Sequence, residues 1–165
     1  MKRRLKQMKK VLVAYFSVGG TTKGVAEKLA DVTGADIFEI KPKKMYTDDD
    51  IDYNNPKCRS SMEMADITCR PEILFKNNSM DSYDVIFVGF PIWWYREPSI
   101  IDTFMEQYDF TGKTIVPFCT SGGSDLGKAA QNMQKLAEGA SVNSGRRFTA
   151  ATESAELKAW AEAYL

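Results

Sequence analysis

The fold is decided by Val11-Leu-Val-Ala-Tyr-Phe16, six consecutive apolar residues, followed by the loop Ser17-Val-Gly-Gly-Thr-Thr22. A continuous apolar run of this length is typical of a strand that is buried on both faces of a sheet. From Thr22 the apolar residues follow the period of a helix, which Gly34 ends. A buried strand that leads through a glycine-rich loop into a helix predicts a parallel α/β sheet.

The same alternation of apolar strands and amphipathic helices continues along the chain. Further strands are predicted at residues 35–40, 85–90, 113–119 and, more weakly, 142–149. Helices with an apolar face are predicted after Pro98, from Leu126 to Gly139, and around Leu157 to Tyr164. Five strands that alternate with helices predict a doubly wound α/β fold, a three-layer sandwich around a five-stranded parallel sheet.

Residues 41–82 are the least regular part of the sequence. Asn54-Asn55 and Pro56 interrupt the apolar pattern, whereas Asp48-Asp-Asp50 is typical of the N-terminal end of a helix. We expect one broken helix and a loop here. The residues of this segment do not by themselves point to a function.

Composition excludes several classes of protein. The 165 residues fit a single domain, because domains average roughly 150 residues. Lys plus Arg and Asp plus Glu number 22 each, and this zero net charge argues against a nucleic-acid-binding protein. The chain has no histidine, which excludes a Ser-His-Asp triad, a Cys-His pair and a His-ligated zinc site. We therefore expect no metal and no dedicated catalytic residue.

The cysteines and the ends of the chain indicate where the protein works. Cys58, Cys69 and Cys119 are odd in number and form no CxxC motif, which favours a reduced, cytoplasmic setting. No apolar run approaches the roughly 18 residues of a membrane-spanning helix, so we expect no membrane association. Residues 1–8 are strongly basic and are interpreted as a leader or an alternative start. The predicted domain covers residues 9–165.

Three loops of unusual composition follow the first, third and fourth predicted strands. Ligands of doubly wound sheets bind beyond the carboxyl ends of the strands. The first loop, residues 17–22, combines glycines and hydroxyls before a helix, which is the chemistry of a phosphate cradle. It matches neither the Walker A nor the dinucleotide pattern, and it suits a single phosphate monoester.

The other two loops suit a flat ring. Pro91-Ile-Trp-Trp-Tyr95 carries three consecutive large aromatics, and at least one of them is expected to face solvent or a planar ligand. Thr120-Ser-Gly-Gly-Ser-Asp125 offers backbone donors and acceptors with little side-chain bulk. Together the loops predict a pocket for a heteroaromatic ring that is joined to one phosphate, and FMN fits this description. Arg146-Arg147 is interpreted as a charged strand end.

These motifs, in this order and spacing, resemble the flavodoxin family, and most closely a bacterial short-chain branch with a Trp-Trp loop. The resemblance runs from about Lys9 to the end of the chain. It implies the flavodoxin-like strand order 2-1-3-4-5. At the phosphate loop, Ser17, Gly20 and Thr22 match the family pattern, whereas Gly19 replaces a threonine.

The resemblance also implies a set of FMN-binding residues. The first loop would hold the phosphate, the second would line the ring with Trp94 or Tyr95 stacked on it, and the third would bind the polar edge of the ring. The residues are Ser17, Gly19, Gly20, Thr21, Thr22, Pro91, Ile92, Trp93, Trp94, Tyr95, Thr120, Ser121, Gly122, Gly123, Ser124 and Asp125.

The implied activity is that of a low-potential one-electron carrier between redox partner proteins, a reductase and an acceptor, with the chain a monomer or weak dimer. Two alternatives stay open. The third loop has no second stacking aromatic, which leaves room for an FMN-dependent NAD(P)H:quinone-type oxidoreductase. Gly19 removes one hydroxyl from the phosphate loop, which leaves room for a flavodoxin fold that has lost FMN. Receiver domains and low-molecular-weight phosphatases are disfavoured because their acidic pair and C-x₅-R motif do not occur after the first strand.

Overall fold

A parallel sheet forms the centre of the computed structural model, which describes residues 8–165. Its strands are β1 (Val11–Tyr15), β2 (Asp36–Glu39), β3 (Val85–Pro91), β4 (Thr114–Thr120), β5 (Ser141–Val142) and β6 (Arg146–Phe148). The order is β2-β1-β3-β4-β5, β6 also pairs with β4, and every pairing is parallel. The predicted α/β class and strand order are therefore confirmed.

Helices cover both faces of the sheet. They are α1 (Thr21–Thr33), α2 (Arg59–Ala65), α3 (Ser99–Gln107), α4 (Ala129–Leu136) and α5 (Ser154–Ala161). Alternate residues of each strand point to opposite faces, so Leu12 and Ala14 join the core under α3 and α4. Val13 and Tyr15 join the core under α1 and α5. This two-sided burial explains why β1 is a continuous apolar run rather than an alternating one.

The predicted fifth strand, residues 142–149, is divided into β5 and β6. Residues 143–145 stand opposite only two residues of β4, 116 and 117. The N–H of Asn143 donates to Ile115 O at 2.9 Å, so the next N–H of β4 that faces this neighbour belongs to residue 117. Pro117 has no N–H, and the ladder cannot continue at that point. The extra residue is accommodated at Gly145, whose φ is 74°.

The fourth helix is shorter than the sequence pattern predicts. Leu126 lies in the loop before α4, although its side chain is buried with the helix in the same core. The helix ends at Leu136, before Gly139. The buried Leu126 side chain thus continues the apolar spacing of α4, although the backbone at Leu126 is not helical.

Residues 41–82 first lie near the carboxyl ends of the strands, where Tyr46 packs against Phe16, and then return to the amino ends, where Ser82 Oγ accepts from Lys10 Nζ. They contain 3₁₀ turns at Asp49–Ile51 and Met80–Ser82, with α2 between them, in line with the expected broken helix and loop. The predicted acidic cap is wrong in detail: Asp48 makes no capping bond, and Asp50 Oδ2 accepts the Thr47 N–H at 3.0 Å.

No helix within residues 8–165 is long and apolar enough to cross a membrane. Residues 1–7 of the predicted leader lie outside the described residues.

Candidate functional site

The first loop presents unused backbone donors at the start of α1. Gly19 and Gly20 have φ of 86° and 94°, which turns the chain sharply into the helix. Ser17 Oγ accepts the N–H of Lys23 at 3.1 Å. Within residues 8–165, the N–H groups of residues 18–22 reach no protein acceptor. These free donors lie at the positive end of the helix dipole, where an anion is favoured.

A buried hydroxyl pair joins the first loop to the third. Thr22 Oγ1 and Thr120 Oγ1 lie 2.7 Å apart, and both residues are buried. The Thr22 hydroxyl therefore points inward, whereas Thr21 is exposed at the mouth of the loop. A polar pocket of about 340 Å³ opens above the pair, lined by Val18, Thr21, Thr22, Pro91, Thr120, Ser121, Gly122, Thr149 and Ala150.

The second loop is a two-residue turn in an unfavourable conformation. Trp93 N–H donates to Arg96 O at 3.1 Å, and Arg96 N–H donates to Trp93 O at 3.3 Å. Between them, Trp94 and Tyr95 have φ of 49° and 63°. Such turns favour Asn-Gly, because left-handed backbone costs other residues roughly 1–2 kcal/mol each. Strain of this kind concentrates at binding sites.

The three aromatics of this loop separate into two environments. Trp93 packs edge-on against Phe16 and Tyr46, with ring centroids 5.5 and 5.3 Å apart. Trp94 and Tyr95 are 41% and 76% exposed. Trp93 therefore anchors the turn, and the strained backbone holds the other two rings outside the core.

An apolar pocket of about 490 Å³ lies beside this turn. Its lining comprises Ile51, Tyr53, Ser60, Ile92, Trp93, Trp94, Tyr95 and Ser124. Ile51, Tyr53 and Ser60 belong to the irregular segment for which the sequence predicted no function. Tyr53 is 75% exposed and brings an aromatic ring to the pocket from outside the three predicted loops. The available signal was an aromatic residue in an otherwise polar stretch, and its position depends on how residues 41–82 fold back.

The third loop is held by Arg147 and by close contact with the second. The Arg147 Nη2 donates to Ser121 O at 2.9 Å, and Nε donates to Ser121 Oγ at 3.1 Å. Ser121 Oγ in turn bonds to Ser124 O. Arg146 and Arg147 do lie at one end of a strand, β6, as predicted, and the guanidinium of Arg147 also binds the third loop, which the sequence did not predict.

Gly127 allows the third loop to approach the strained turn. A Cβ at Gly127, whose φ is 56°, would lie 2.1 Å from Tyr95 O. The N–H of Lys128 donates to the same carbonyl at 3.3 Å. The third loop is thus in direct backbone contact with the turn that carries Trp94 and Tyr95.

A buried ionic cluster fixes the other end of the turn. The Arg96 guanidinium contacts Glu97 Oε1 at 3.4 Å and Asp102 Oδ2 at 3.5 Å, and it donates to Met64 O of α2 at 3.1 Å. Glu97 is fully buried and accepts from the Asn132 amide at 3.2 Å. The cluster therefore connects the turn to α2, α3 and α4.

Burial and neighbouring charge favour the protonated form of Glu97 in this cluster. Burial, followed by the charge of Asp102 and a hydrogen bond with it, raises the pKa of Glu97 to about 8. Asp102 Oδ1 is a buried acceptor. Within residues 8–165, no donor other than a protonated Glu97 is available to it. Burial also raises the pKa of Asp102, but Arg70 and Arg96 face this carboxyl and favour its charged form. The pair accordingly shares one proton, which we assign to Glu97.

The chain is similar to a known protein family and to solved structures. Residues 10–164 match the family model described as flavodoxin. A Bacteroides eggerthii protein assigned as a flavoprotein is 44% identical, with a TM-score of 0.89 over 94% of this chain and 98% of that chain. A Bacteroides uniformis protein assigned likewise is 40% identical, with a TM-score of 0.88 over 94% and 99%.

A more distant flavoprotein, from Lactobacillus acidophilus and in complex with FMN, is 25% identical. Its TM-score is 0.70 over 93% of this chain and 99% of that chain. No curated protein sequence matches significantly.

The strained turn predicts that Tyr95→Gly stabilises the protein without ligand. Glycine adopts the left-handed conformation without a Cβ penalty, and the exposed Tyr95 ring contributes little burial. We expect the free energy of unfolding in urea to rise by about 1 kcal/mol. Tyr53→Gly is the matched control, since Tyr53 is equally exposed and has no positive φ. It should lower stability slightly, and an equal change in both variants would contradict the strain.

The protonated Glu97 predicts a stability that falls as pH rises. The unfolded chain releases this proton near the ordinary value of 4.5, and the folded chain releases it near 8. Between these values the folded state binds more protons, so stability decreases with pH by at most about 1.4 kcal/mol per unit. Glu97→Gln keeps an acceptor for Asn132 and should flatten the melting temperature between pH 5 and 8.

Glu106→Gln controls for the removal of a carboxyl group from the same region, because the Glu106 carboxylate on α3 is half-exposed. An unchanged slope in Glu97→Gln would place the proton elsewhere.

Proposed function

Because the chain belongs to the flavodoxin family, we propose that it binds FMN and carries electrons singly, at low potential, between redox partner proteins. The observation that supports this most strongly is the adjacency of the two pockets. One is polar and lined by free backbone donors, and the other is apolar and lined by aromatics. Pro91 and Ile92 lie side by side at their junction, since each lines one of the pockets.

The polar pocket suits the phosphate end of FMN. Free N–H groups of residues 18–22 and the exposed Thr21 hydroxyl are donors, and in the described chain no arginine or lysine lines this pocket. A monoester dianion can be neutralised by such donors and a helix dipole. Gly19 leaves its N–H for this purpose although it lacks the hydroxyl of the family pattern. These features favour retained FMN over a fold that has lost it.

The apolar pocket suits the isoalloxazine ring. Trp94, Tyr95 and Tyr53 offer exposed aromatic faces, and Ser124 places the third loop at the same pocket. Offset or edge-on aromatic contacts stabilise planar ligands by about 0.5–1.5 kcal/mol beyond burial. When bound, FMN supplies the electron-transfer chemistry, and the protein supplies binding, orientation and electrostatics.

An FMN-dependent NAD(P)H:quinone-type oxidoreductase is the second candidate. The observation that favours it is the exposure of Tyr95, 76%, beside a pocket that no aromatic of the third loop covers. An open ring face leaves space for a nicotinamide. A one-electron carrier needs only an exposed ring edge near a partner surface.

We further propose that the protein works as a monomer or weak dimer in the cytoplasm, with a reductase and an acceptor as partners and without nucleic acid or membrane. The support is compositional: the chain has zero net charge, and its three cysteines are free thiols. Weak net charge predicts that partner docking depends little on long-range steering.

Gly20→Ala should weaken FMN binding specifically. The Cβ would enter open space beside the free N–H groups of the phosphate loop, and we expect the Kd for FMN to rise at least tenfold by fluorescence titration. Riboflavin, which has no phosphate, should lose much less. Gly34→Ala is the matched control, because Gly34 caps the other end of α1 with φ of 68° and open space around it.

Both substitutions place alanine in left-handed backbone and should cost roughly 1–2 kcal/mol of stability. A wild-type protein that binds riboflavin as tightly as FMN would contradict the phosphate assignment.

An anaerobic reductive titration followed by visible absorption tests the carrier role. We expect the reconstituted protein to accumulate one-electron-reduced FMN before full reduction, and to show no NAD(P)H turnover with a quinone above that of free FMN. Direct passage to fully reduced FMN, with such turnover, would overturn the carrier in favour of the oxidoreductase. Failure to retain any flavin would overturn both.

A further inference from the structure

We propose that Arg147 is a positioning residue that polarises the third loop and so favours negative charge on reduced FMN. The inference rests on the proposed function, since it concerns the same site. It assigns to β6 a role that the three predicted loops do not include. Arg147 holds the potential of the fully reduced couple above the value that it would have without this cation.

The guanidinium grips one peptide unit of the loop. Nη2 donates to Ser121 O at 2.9 Å, Nε approaches the same oxygen at 3.3 Å, and Nε also donates to Ser121 Oγ at 3.1 Å. Ser121 Oγ is then directed to Ser124 O, which closes the loop on itself. The rigid planar fork of arginine makes such multiple contacts possible, and lysine offers only a point charge.

These hydrogen bonds from Arg147 strengthen a backbone donor of the loop, the Gly122 N–H. The Ser121 carbonyl belongs to the same peptide unit as the Gly122 N–H, and a charged donor on the oxygen withdraws electron density from the nitrogen side. Within residues 8–165, the N–H groups of residues 122–125 reach no protein acceptor. The loop reaches both pockets, because Gly122 lines the polar one and Ser124 lines the apolar one. A strengthened, unused donor is therefore available to the ligand.

Arg147 is distinguished from the other arginines by its lack of a carboxylate partner. Within the described chain, Arg59, Arg70, Arg96 and Arg146 each lie within 4.0 Å of a carboxylate oxygen, and Arg147 does not. Its charge is thus uncompensated at a half-buried position beside the pocket. An uncompensated charge out of bulk water is costly unless a negative group complements it.

Other groups near the loop do not cancel this charge. Asp125 is exposed, and its Oδ1 already accepts the Leu126 N–H at 2.8 Å. Burial and the charge of Asp125 raise the pKa of the Cys119 thiol to about 12, although Arg147 lowers it. Cys119 is therefore neutral, and the local field at the loop is set by Arg147 with partial opposition from a solvated carboxylate.

Reduced FMN provides the complementary charge. Uptake of two electrons from a redox partner and one proton from solvent would leave bound FMN with one additional negative charge, on the pyrimidine edge of the ring. Ser124 brings the third loop to the apolar pocket, where we propose that the ring binds, and within residues 8–165 the N–H groups of residues 123–125 have no other acceptor. A fixed cation behind that loop favours the reduced anion over the oxidised, uncharged ring, and so it tightens the binding of reduced FMN more than that of oxidised FMN.

The test compares Arg147→Gln with Arg146→Gln in the full chain reconstituted with FMN. Gln retains an amide donor for Ser121 O but removes the charge. Arg146 is the neighbouring strand residue, and its exposed charge is paired with Glu156 at 2.6 Å. The readouts are the Kd of oxidised FMN and the midpoint potential by spectroelectrochemistry, which together give the Kd of reduced FMN.

Arg147→Gln should weaken reduced FMN at least tenfold more than oxidised FMN, which corresponds to a fall of about 30 mV for a two-electron couple. Arg147→Lys should recover part of this fall, and Arg146→Gln should leave the ratio unchanged. Equal weakening of both redox forms, or equal effects of the two glutamine variants, would overturn the role of Arg147 while FMN binding stands. A wild-type protein that retains no FMN would overturn the proposed function itself.

Discussion

Parallel pairing of β1, β3 and β4 brings the ends of three strands to one edge of the sheet, and the whole site depends on it. The register is continued beyond the strands by Phe16 N–H to Gly89 O at 2.9 Å and by Ile92 N–H to Thr120 O at 3.1 Å. The buried hydroxyl pair of Thr22 and Thr120 then joins loops that are 98 residues apart in sequence. Because these bonds fix the bases of the loops, the tips of the loops can consist of exposed glycines and aromatics.

The same edge is where the structure departs from its most stable arrangement. Two aromatics occupy left-handed backbone, the pKa of a fully buried glutamate is raised, and an arginine has no carboxylate partner in the described chain. Each departure is held by neighbouring structure: Trp93 packs on Phe16, Arg96 is embedded between carboxyls, and Arg147 grips the Ser121 peptide. Local costs that cluster around one pair of pockets are typical of a binding site.

The sequence predicted the sheet correctly wherever burial is two-sided, as in β1, β3 and β4. Prediction failed at the fifth strand, because the interruption arises from a proline in its neighbour. Pro117 does not disturb the pairing of β4 with β3, since the N–H that it lacks would have faced β5 and β6. The contribution of residues 41–82 to the site was not predicted for a related reason. Tyr53 acquires its place at the apolar pocket through long-range folding, and its own neighbours carry no periodic pattern that would predict this position.

The fold class and the composition of the three loops follow from the sequence pattern alone, and the strand order follows from the resemblance to the flavodoxin family. Hydrophobic periodicity and the glycine and aromatic content of a loop are local properties. They can therefore be recognised in the sequence without knowledge of the fold. Tertiary structure decided which hydroxyl of Thr21 and Thr22 faces outward, which of the three aromatics is anchored, and which arginine reaches the third loop. These outcomes depend on groups that are distant in the chain and adjacent in space. Hydrogen bonds and charge interactions act over a few ångströms, so only the folded arrangement decides which of them form.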